Sequence, residues 1–96
     1  MRIERVQVPH RHPVFDGHFP ARPLLPGSLL LDLIIAAWGA PVCGVPSVKF
    51  LRPVLPGDTL ALTFTPVPGA PAIRFGCTRG DETVCSGVLL PRTARH

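Results

Sequence analysis

The chain has 96 residues, which is enough for one small domain, residues 1–96, but leaves little room for a large hydrophobic core. Hydrophobic residues make up 46% and charged residues only 17%, a composition that excludes an intrinsically disordered chain. The net charge of +4 is spread along the chain, without the basic stripe or interleaved aromatic residues of a nucleic-acid-binding protein. A dispersed basic surface fits an acidic protein partner better.

The sequence shows no signal peptide and no membrane-spanning segment. Residues 1–5 lack an apolar core, and the longest apolar run, residues 29–38, is interrupted by Asp32 and too short to cross a bilayer. The chain contains three cysteines, Cys43, Cys77 and Cys85. Their odd number and their lack of metal-ligand spacing predict reduced thiols in a cytoplasmic protein, with no metal site.

The first half of the chain predicts a strand, a long loop and one helix. Residues 2–8 alternate polar and apolar side chains, which is typical of a half-buried strand. Residues 10–26 contain four prolines and no usable period, so we expect an ordered loop. A helix should begin at Gly27 or Ser28 and run to about Ala37. Because its side chains are apolar on nearly every face, we expect it to be buried on all sides.

The second half predicts four antiparallel strands. Alternating or β-branched segments cover residues 45–51, 59–66, 72–78 and 83–90, with turns between them and a hairpin tip at 79–82. A helix that is apolar all round needs a sheet to cover it. The sequence therefore predicts an α+β domain in which about five strands wrap around one central helix, and its excess of apolar residues predicts at least a dimer.

Asp32 is the only charged residue of the predicted helix. Burying an unpaired carboxylate is costly, and the usual response is a raised pKa. A carboxyl group that stays protonated near neutral pH can donate a proton in a reaction. The alternative is that Asp32 only complements the helix dipole.

His18 and Gly27 are the other candidates for chemistry. His18 stands between Gly17 and Phe19 in the proline-rich loop, fourteen residues before Asp32. A lone loop histidine is more often structural or solvated than catalytic. Gly27 is at the start of the helix, so its amide could stabilise negative charge on a bound oxygen atom. Pro-Gly is also a common junction between loop and helix.

Two motifs resemble the hot-dog-fold β-hydroxyacyl-ACP dehydratases. The first is His18-Phe19-Pro20-Ala21-Arg22-Pro23-Leu24-Leu25-Pro26-Gly27, which is similar to the family's His-Phe-Pro-Gly-x-Pro-x-x-Pro-Gly loop before a helix that carries Glu or Asp. The second is Lys49-Phe50-Leu51-Arg52-Pro53-Val54-Leu55-Pro56-Gly57-Asp58, which is similar to the family's Phe-x-Arg/Lys-Pro-Val-x-Pro-Gly-Asp strand and turn after the helix. The resemblance implies a hot-dog fold. The short chain is similar to compact dehydratase-like proteins of polyene-pigment and polyketide synthesis.

The resemblance also implies a reaction without a cofactor. His18 would take the α-proton of a β-hydroxyacyl chain on acyl carrier protein, Asp32 would protonate the departing hydroxyl, and Gly27 would be the oxyanion donor. The site would be shared across a homodimer. The candidates for an apolar substrate tunnel are Phe15, Phe19, Leu24, Leu25 and Leu31. The candidates for a basic rim that docks the carrier protein are Arg22, Arg11, Arg52 and Lys49.

Two other functions remain open at this point. A hot-dog acyl thioesterase also uses a helix carboxylate, although it normally lacks the His-Phe-Pro loop. A non-catalytic hot-dog subunit that binds acyl carrier protein is compatible with the short chain and with Ala21 in place of the family's usual glycine. Aspartate at position 32 matches dehydratases that also isomerise the new double bond, but it does not by itself predict isomerase activity.

Overall fold

The computed structural model describes residues 1–9 and 25–92. This part of the chain forms one helix and five strands, which in chain order are β1 Arg2–Gln7, α1 Gly27–Trp38, β2 Val42–Phe50, β3 Thr59–Pro66, β4 Ile73–Arg79 and β5 Glu82–Pro91. The bounds of β3 are those predicted. Strand β2 begins three residues earlier than expected because two irregularities, between Val42 and Gly44 and between Gly44 and Ser47, carry the strand past its glycine and proline.

The five strands form a single antiparallel sheet in the order β1-β3-β4-β5-β2. The strand that follows the helix does not pair with the next strand of the chain: β2 crosses to the far edge and pairs with β5. Strand β1 pairs with β3 at the other edge. Both β1 and β2 therefore keep one side without a strand partner within the described chain.

The core lies on the face of the sheet that carries the helix. A row of paired residues crosses this face from Phe64 through Phe75 and Gly87 to Val48. Gly87 is needed here because a side chain would strike the ring of Phe75 and the carbonyl oxygen of Ser47. Among the described residues, fourteen buried hydrophobic side chains form the core cluster, to which the helix contributes Leu30 and Ile34.

The helix is buried on one side only, so the prediction of burial on all sides is wrong for the single chain. Leu30 and Ile34 are buried, whereas Ser28, Asp32 and Ala36 are exposed. At about 100° of turn per residue, these three lie on the side roughly opposite the two buried residues. The predicted architecture of five antiparallel strands and one helix is confirmed.

Arg2 of β1 forms hydrogen bonds with the last turn of the helix. Its guanidinium donates hydrogen bonds to the carbonyl oxygens of Ala37 and Trp38 (2.8 Å for Trp38) and lies 5.0 Å from the centre of the Trp38 ring. Gly39 adopts the left-handed conformation, with φ 79°, and its amide closes the helix on the carbonyl of Ile35. The guanidinium of Arg2 thus lies at the C-terminus of the helix, which is the negative end of the helix dipole.

Candidate functional site

A pocket of about 380 Å³ opens at the N-terminus of α1. It is lined by Leu25, Gly27, Leu30, Phe50, Leu51, Arg52, Pro53 and Val54. Its walls are mostly apolar, and Arg52 is the one charged residue among the described lining residues. An apolar pocket beside a helix N-terminus suits an acyl chain whose carbonyl group approaches the backbone amides.

At this pocket, the first backbone amides of the helix have no acceptor among the described residues. The carbonyl of Pro26 accepts hydrogen bonds from the amides of Leu29 and Leu30, at 3.1 and 3.0 Å, and no side chain caps the helix. Among the described residues, neither the amide of Gly27 nor that of Ser28 has a hydrogen-bond acceptor. Together with the helix dipole, these amides favour an oxygen on which negative charge develops.

The ring of Phe50 lies directly against Gly27. A β-carbon at position 27 would be 3.0 to 3.3 Å from three ring atoms of Phe50, so a glycine lets the ring approach the helix start. The Phe50 side chain is nevertheless 47% exposed. It forms an aromatic side of the pocket that no described residue covers from outside.

The wall of the pocket opposite the helix is an irregular segment, residues 51–54, which we call the wall segment. The amides of Leu51 and Arg52 both donate to the carbonyl of Val84 in β5, at 2.9 and 3.3 Å. At its other end, the carbonyl of Val54 accepts a hydrogen bond from the amide of Leu25 at 2.9 Å. The wall segment is therefore joined to the sheet on one side and to the residue before the helix on the other.

An ion-pair network lies behind the wall segment. One terminal nitrogen of Arg79 (Nη1) contacts Oδ2 of Asp58 at 2.8 Å, and the other (Nη2) contacts Oε1 of Glu82 at 3.1 Å. Glu82 in turn pairs with Nε of Arg52 at 3.4 Å. The hydrogen bonds to Asp58 and Glu82 raise the pKa of Arg79, which stays a cation. Arg52 thus reaches the pocket while paired with a carboxylate.

The structure brings some of the sequence-predicted residues together and separates others. Gly27, Leu25 and Arg52 line one pocket. Leu31 is half-buried and packs against the core rather than lining that pocket. Lys49 lines a second cavity, of about 500 Å³, on the opposite face of the sheet. Asp32 is exposed on the side of the helix that faces away from the core.

The remaining predicted residues lie outside the described ranges. This group contains the proposed base, three tunnel candidates and two rim candidates: His18, Phe15, Phe19, Leu24, Arg11 and Arg22. Their roles stay predictions.

Sequence reasoning missed Arg79 and the position of Phe50 at the pocket. The i,i+3 spacing of Arg79 and Glu82 around a Gly-Asp tip is a signal for a local ion pair. The contact of Arg79 with Asp58, in contrast, joins two turns that are distant in the sequence, so only the fold reveals it. Phe50 contacts the helix at its start, beside Gly27, and is half-exposed there.

The buried thiols offer no second reactive centre. Cys77 and Cys85 face each other across β4 and β5, and burial raises their pKa values to about 12 and about 11. Such thiols stay protonated and weakly nucleophilic near neutral pH. Within residues 1–9 and 25–92, no three potential ligands from His, Cys, Asp and Glu gather at one point. Over the same ranges, no helix has the length and apolar content to span a membrane.

Comparisons with known proteins agree with this architecture. The model of the ApeI-like family, described as ApeI dehydratase, matches residues 2–88. The dehydratase heterocomplex ApeI:P from Xenorhabdus doucetiae superposes with a TM-score of 0.74 at 28% identity, covering 94% of this chain and 86% of the other. An uncharacterized protein from Erwinia carotovora subsp. atroseptica gives 0.72 at 29% identity, covering 96% and 82%.

The hot-dog fold itself extends to more distant proteins. A mutant of the fluoroacetyl-CoA-specific thioesterase FlK, in complex with fluoroacetate and CoA, gives a TM-score of 0.61 at 17% identity, covering 93% of this chain and 85% of the other. This similarity is one of fold alone.

Proposed function

The chain belongs to the ApeI-like dehydratase family, and on that basis we propose that it removes water from a β-hydroxyacyl thioester carried on acyl carrier protein. The product would be the trans-2-enoyl thioester. The main support for the proposal is the apolar pocket beside Gly27, where α1 begins. A thioester carbonyl in that pocket would contact backbone amides at the positive end of the helix dipole.

The proposed elimination needs two side chains, one that accepts a proton and one that donates a proton, and no cofactor. His18 takes the α-proton, and the electron pair of that C–H bond forms the Cα–Cβ double bond. The bond from Cβ to the hydroxyl oxygen breaks, and a proton from Asp32 completes the departing water molecule. Gly27 donates its amide hydrogen to the thioester oxygen, on which negative charge develops as the α-proton leaves. Return of the proton from His18 to Asp32 through solvent restores both groups.

A second chain is part of this proposal, because in the single chain Asp32 faces solvent rather than the pocket at Gly27. Packing of a partner against the exposed side of α1 would enclose Asp32 in a site shared by the two chains. The large exposed side chains Phe50, Leu51 and Leu55 give such a partner apolar surface beside the pocket. We propose a homodimer. Sedimentation of the purified protein as a monomer at micromolar concentration would contradict it.

The partner that delivers the substrate would be an acidic carrier protein. Arg52 lies at the pocket with half of its side chain exposed, although Glu82 neutralises part of its charge. Arg22, Arg11 and Lys49 would complete the basic rim, with Lys49 approaching from the other face of β2.

The experiment that tests the proposal mixes the purified protein with β-hydroxyacyl carrier protein. Formation of the enoyl thioester is followed by ultraviolet absorbance, and loss of water is followed by mass spectrometry. His18→Ala and Asp32→Asn should each abolish turnover, whereas Asp81→Asn, at an exposed hairpin tip, is the matched control and should not change it. Full activity of Asp32→Asn would make this residue a partner of the helix dipole instead.

The same assay separates the alternatives. Release of free thiol without enoyl product would identify a thioesterase. FlK is a thioesterase that shares the fold with this chain. Stable binding of the carrier protein without turnover would identify a non-catalytic subunit, and adding a second family member would then show whether activity needs a heterocomplex like that of ApeI:P.

A further inference from the structure

The pocket depends on a stretch of backbone that belongs to no strand or helix. The wall segment, residues 51–54, runs from the end of β2 into the turn that ends at Asp58, and its residues form one side of the pocket. Irregular backbone has no ladder of neighbouring hydrogen bonds to fix it, so its position depends on individual contacts. Those contacts decide the distance between the wall and the helix start.

Arg79 supplies a contact of this kind from behind. Its Nη1 donates to the carbonyl oxygen of Pro53 at 2.9 Å as well as to Oδ2 of Asp58 at 2.8 Å. The same Oδ2 accepts a hydrogen bond from the amide of Leu55 at 2.9 Å. Within the described part of the chain, Arg79 is the one side chain that donates to the backbone of the wall segment. The guanidinium of Arg79 thus contacts both the wall segment, at Pro53, and the end of the turn, at Asp58.

The guanidinium is itself held in place. Its second terminal nitrogen contacts Glu82 at 3.1 Å, and its side chain is only 27% exposed. A planar fork with three acceptors around it has one favourable orientation, whereas the ammonium group of a lysine would reach at most part of this set. The end of β4 therefore acts as a fixed point for the turn.

We propose that Arg79 is the positioning residue of the pocket: by holding Pro53 and Asp58, it sets the place of the wall segment relative to the amides at the start of α1. The link to the helix is the hydrogen bond from the amide of Leu25 to the carbonyl of Val54. Arg79 is not one of the lining residues, so it acts through the backbone and not on the substrate. The catalytic consequence of this inference rests on the proposed dehydratase function.

Two variants of Arg79 and two matched controls test the inference. Arg79→Gln removes the cation and the fork, and Arg79→Lys keeps the charge without the fork. Asp81→Asn changes a neighbouring carboxylate at the exposed hairpin tip and leaves the contact of Arg79 with Pro53 in place. Arg74→Gln changes another arginine of β4, whose side chain lines the cavity on the opposite face of the sheet.

The first measurement is kcat with β-hydroxyacyl carrier protein, at a temperature where circular dichroism shows each variant fully folded. A displacement of about 1 Å can cost a rate factor of about 100. We expect Arg79→Gln to lower kcat by about 10- to 100-fold and Arg79→Lys to recover part of that loss. Both controls should stay within about twofold. An unchanged kcat for fully folded Arg79→Gln would overturn the inference, since a purely structural role predicts that result.

The second measurement is amide hydrogen exchange, which needs no substrate. Arg79→Gln should speed exchange at Leu25, Leu51 and Arg52, the amides that join the wall segment to its surroundings, while strand β3 keeps its protection. Unchanged exchange at these three amides would overturn the inference even if activity fell. If the wild-type protein shows no turnover, the dehydratase proposal fails, and exchange still decides whether Arg79 holds the wall.

Discussion

Replacing Gly87 by alanine should destabilise the protein severely, because this position has no room for a side chain. An alanine β-carbon would lie 2.6 and 2.8 Å from two ring atoms of Phe75 and would also overlap the carbonyl oxygen of Ser47. Phe75 is only 1% exposed, and Ser47 contributes backbone from the neighbouring strand β2. Neither group can move aside without disturbing the sheet.

The size of the effect follows from these two neighbours. Overpacking a core typically costs about 1–3 kcal/mol, and the upper end applies where a fixed ring and a strand backbone are both in the way. We therefore expect a loss of about 3 kcal/mol in the free energy of unfolding. For a domain of this size, each kcal/mol lowers Tm by about 4–8 °C, which gives a total decrease of about 12–24 °C.

Urea and thermal unfolding, followed by circular dichroism, measure this loss, at one protein concentration because association changes apparent stability. Gly44→Ala is the matched control: its β-carbon would lie 3.6 Å from Leu90, an ordinary contact, so its effect should stay within about 0.5 kcal/mol. Gly76→Ala should be intermediate, since its 3.0 Å neighbour is the hydroxyl oxygen of Thr63, which can rotate away. Equal stability of the Gly87 and Gly44 variants would refute the reasoning.

Three further predictions concern the helix end, the thiols and the carrier. Arg2→Met should lower the free energy of unfolding by about 1–3 kcal/mol, measured by urea titration, because the carbonyls of Ala37 and Trp38 lose a charged donor. Burial raises the pKa values of Cys77 and Cys85, so the stability that depends on their protonated forms is fully present below pH 9 and is lost as the pH rises towards 11. Urea unfolding from pH 7 to 10.5 should show that fall, and replacing both thiols by valine should reduce it. Raising the salt concentration should increase KM for carrier-bound substrate more than KM for a small pantetheine thioester. An equal salt dependence of the two KM values would show that the basic rim has no role in docking the carrier protein.

The elements of the fold were predictable from local sequence, whereas the order of the strands in the sheet was not. Alternation of Leu60, Leu62 and Phe64 with threonines marks β3 to the residue, because one face of that strand is buried and the other is not. The place of β2 beside β5 depends on a crossover, and no local pattern encodes which edge receives it.

The candidate site divides in the same way. Gly27 was predictable at the site because the Pro-Gly junction starts the helix, and Leu25 because the loop motif resembles that of the dehydratases. The exposure of Asp32 was not predictable, since a helix with apolar residues on every face does not show which side the rest of the chain covers. The role of Arg79 was not predictable because its contact with Pro53 joins two turns that are separate in the sequence.

The pairing of the first strand has a consequence for how the chain is made. β1 leaves the ribosome before the other described strands, yet its partner β3 ends only at Pro66, with Arg2 opposite Phe64 and Gln7 opposite Thr59. Contacts between such distant segments form slowly because the intervening chain must be ordered first. The hairpins of β3, β4 and β5, which are local, can form as soon as they are synthesised. Until β1 pairs with it, β3 has a neighbouring strand only on its β4 side, so a nascent chain stalled before β1 docks would expose the other edge of β3 to other chains.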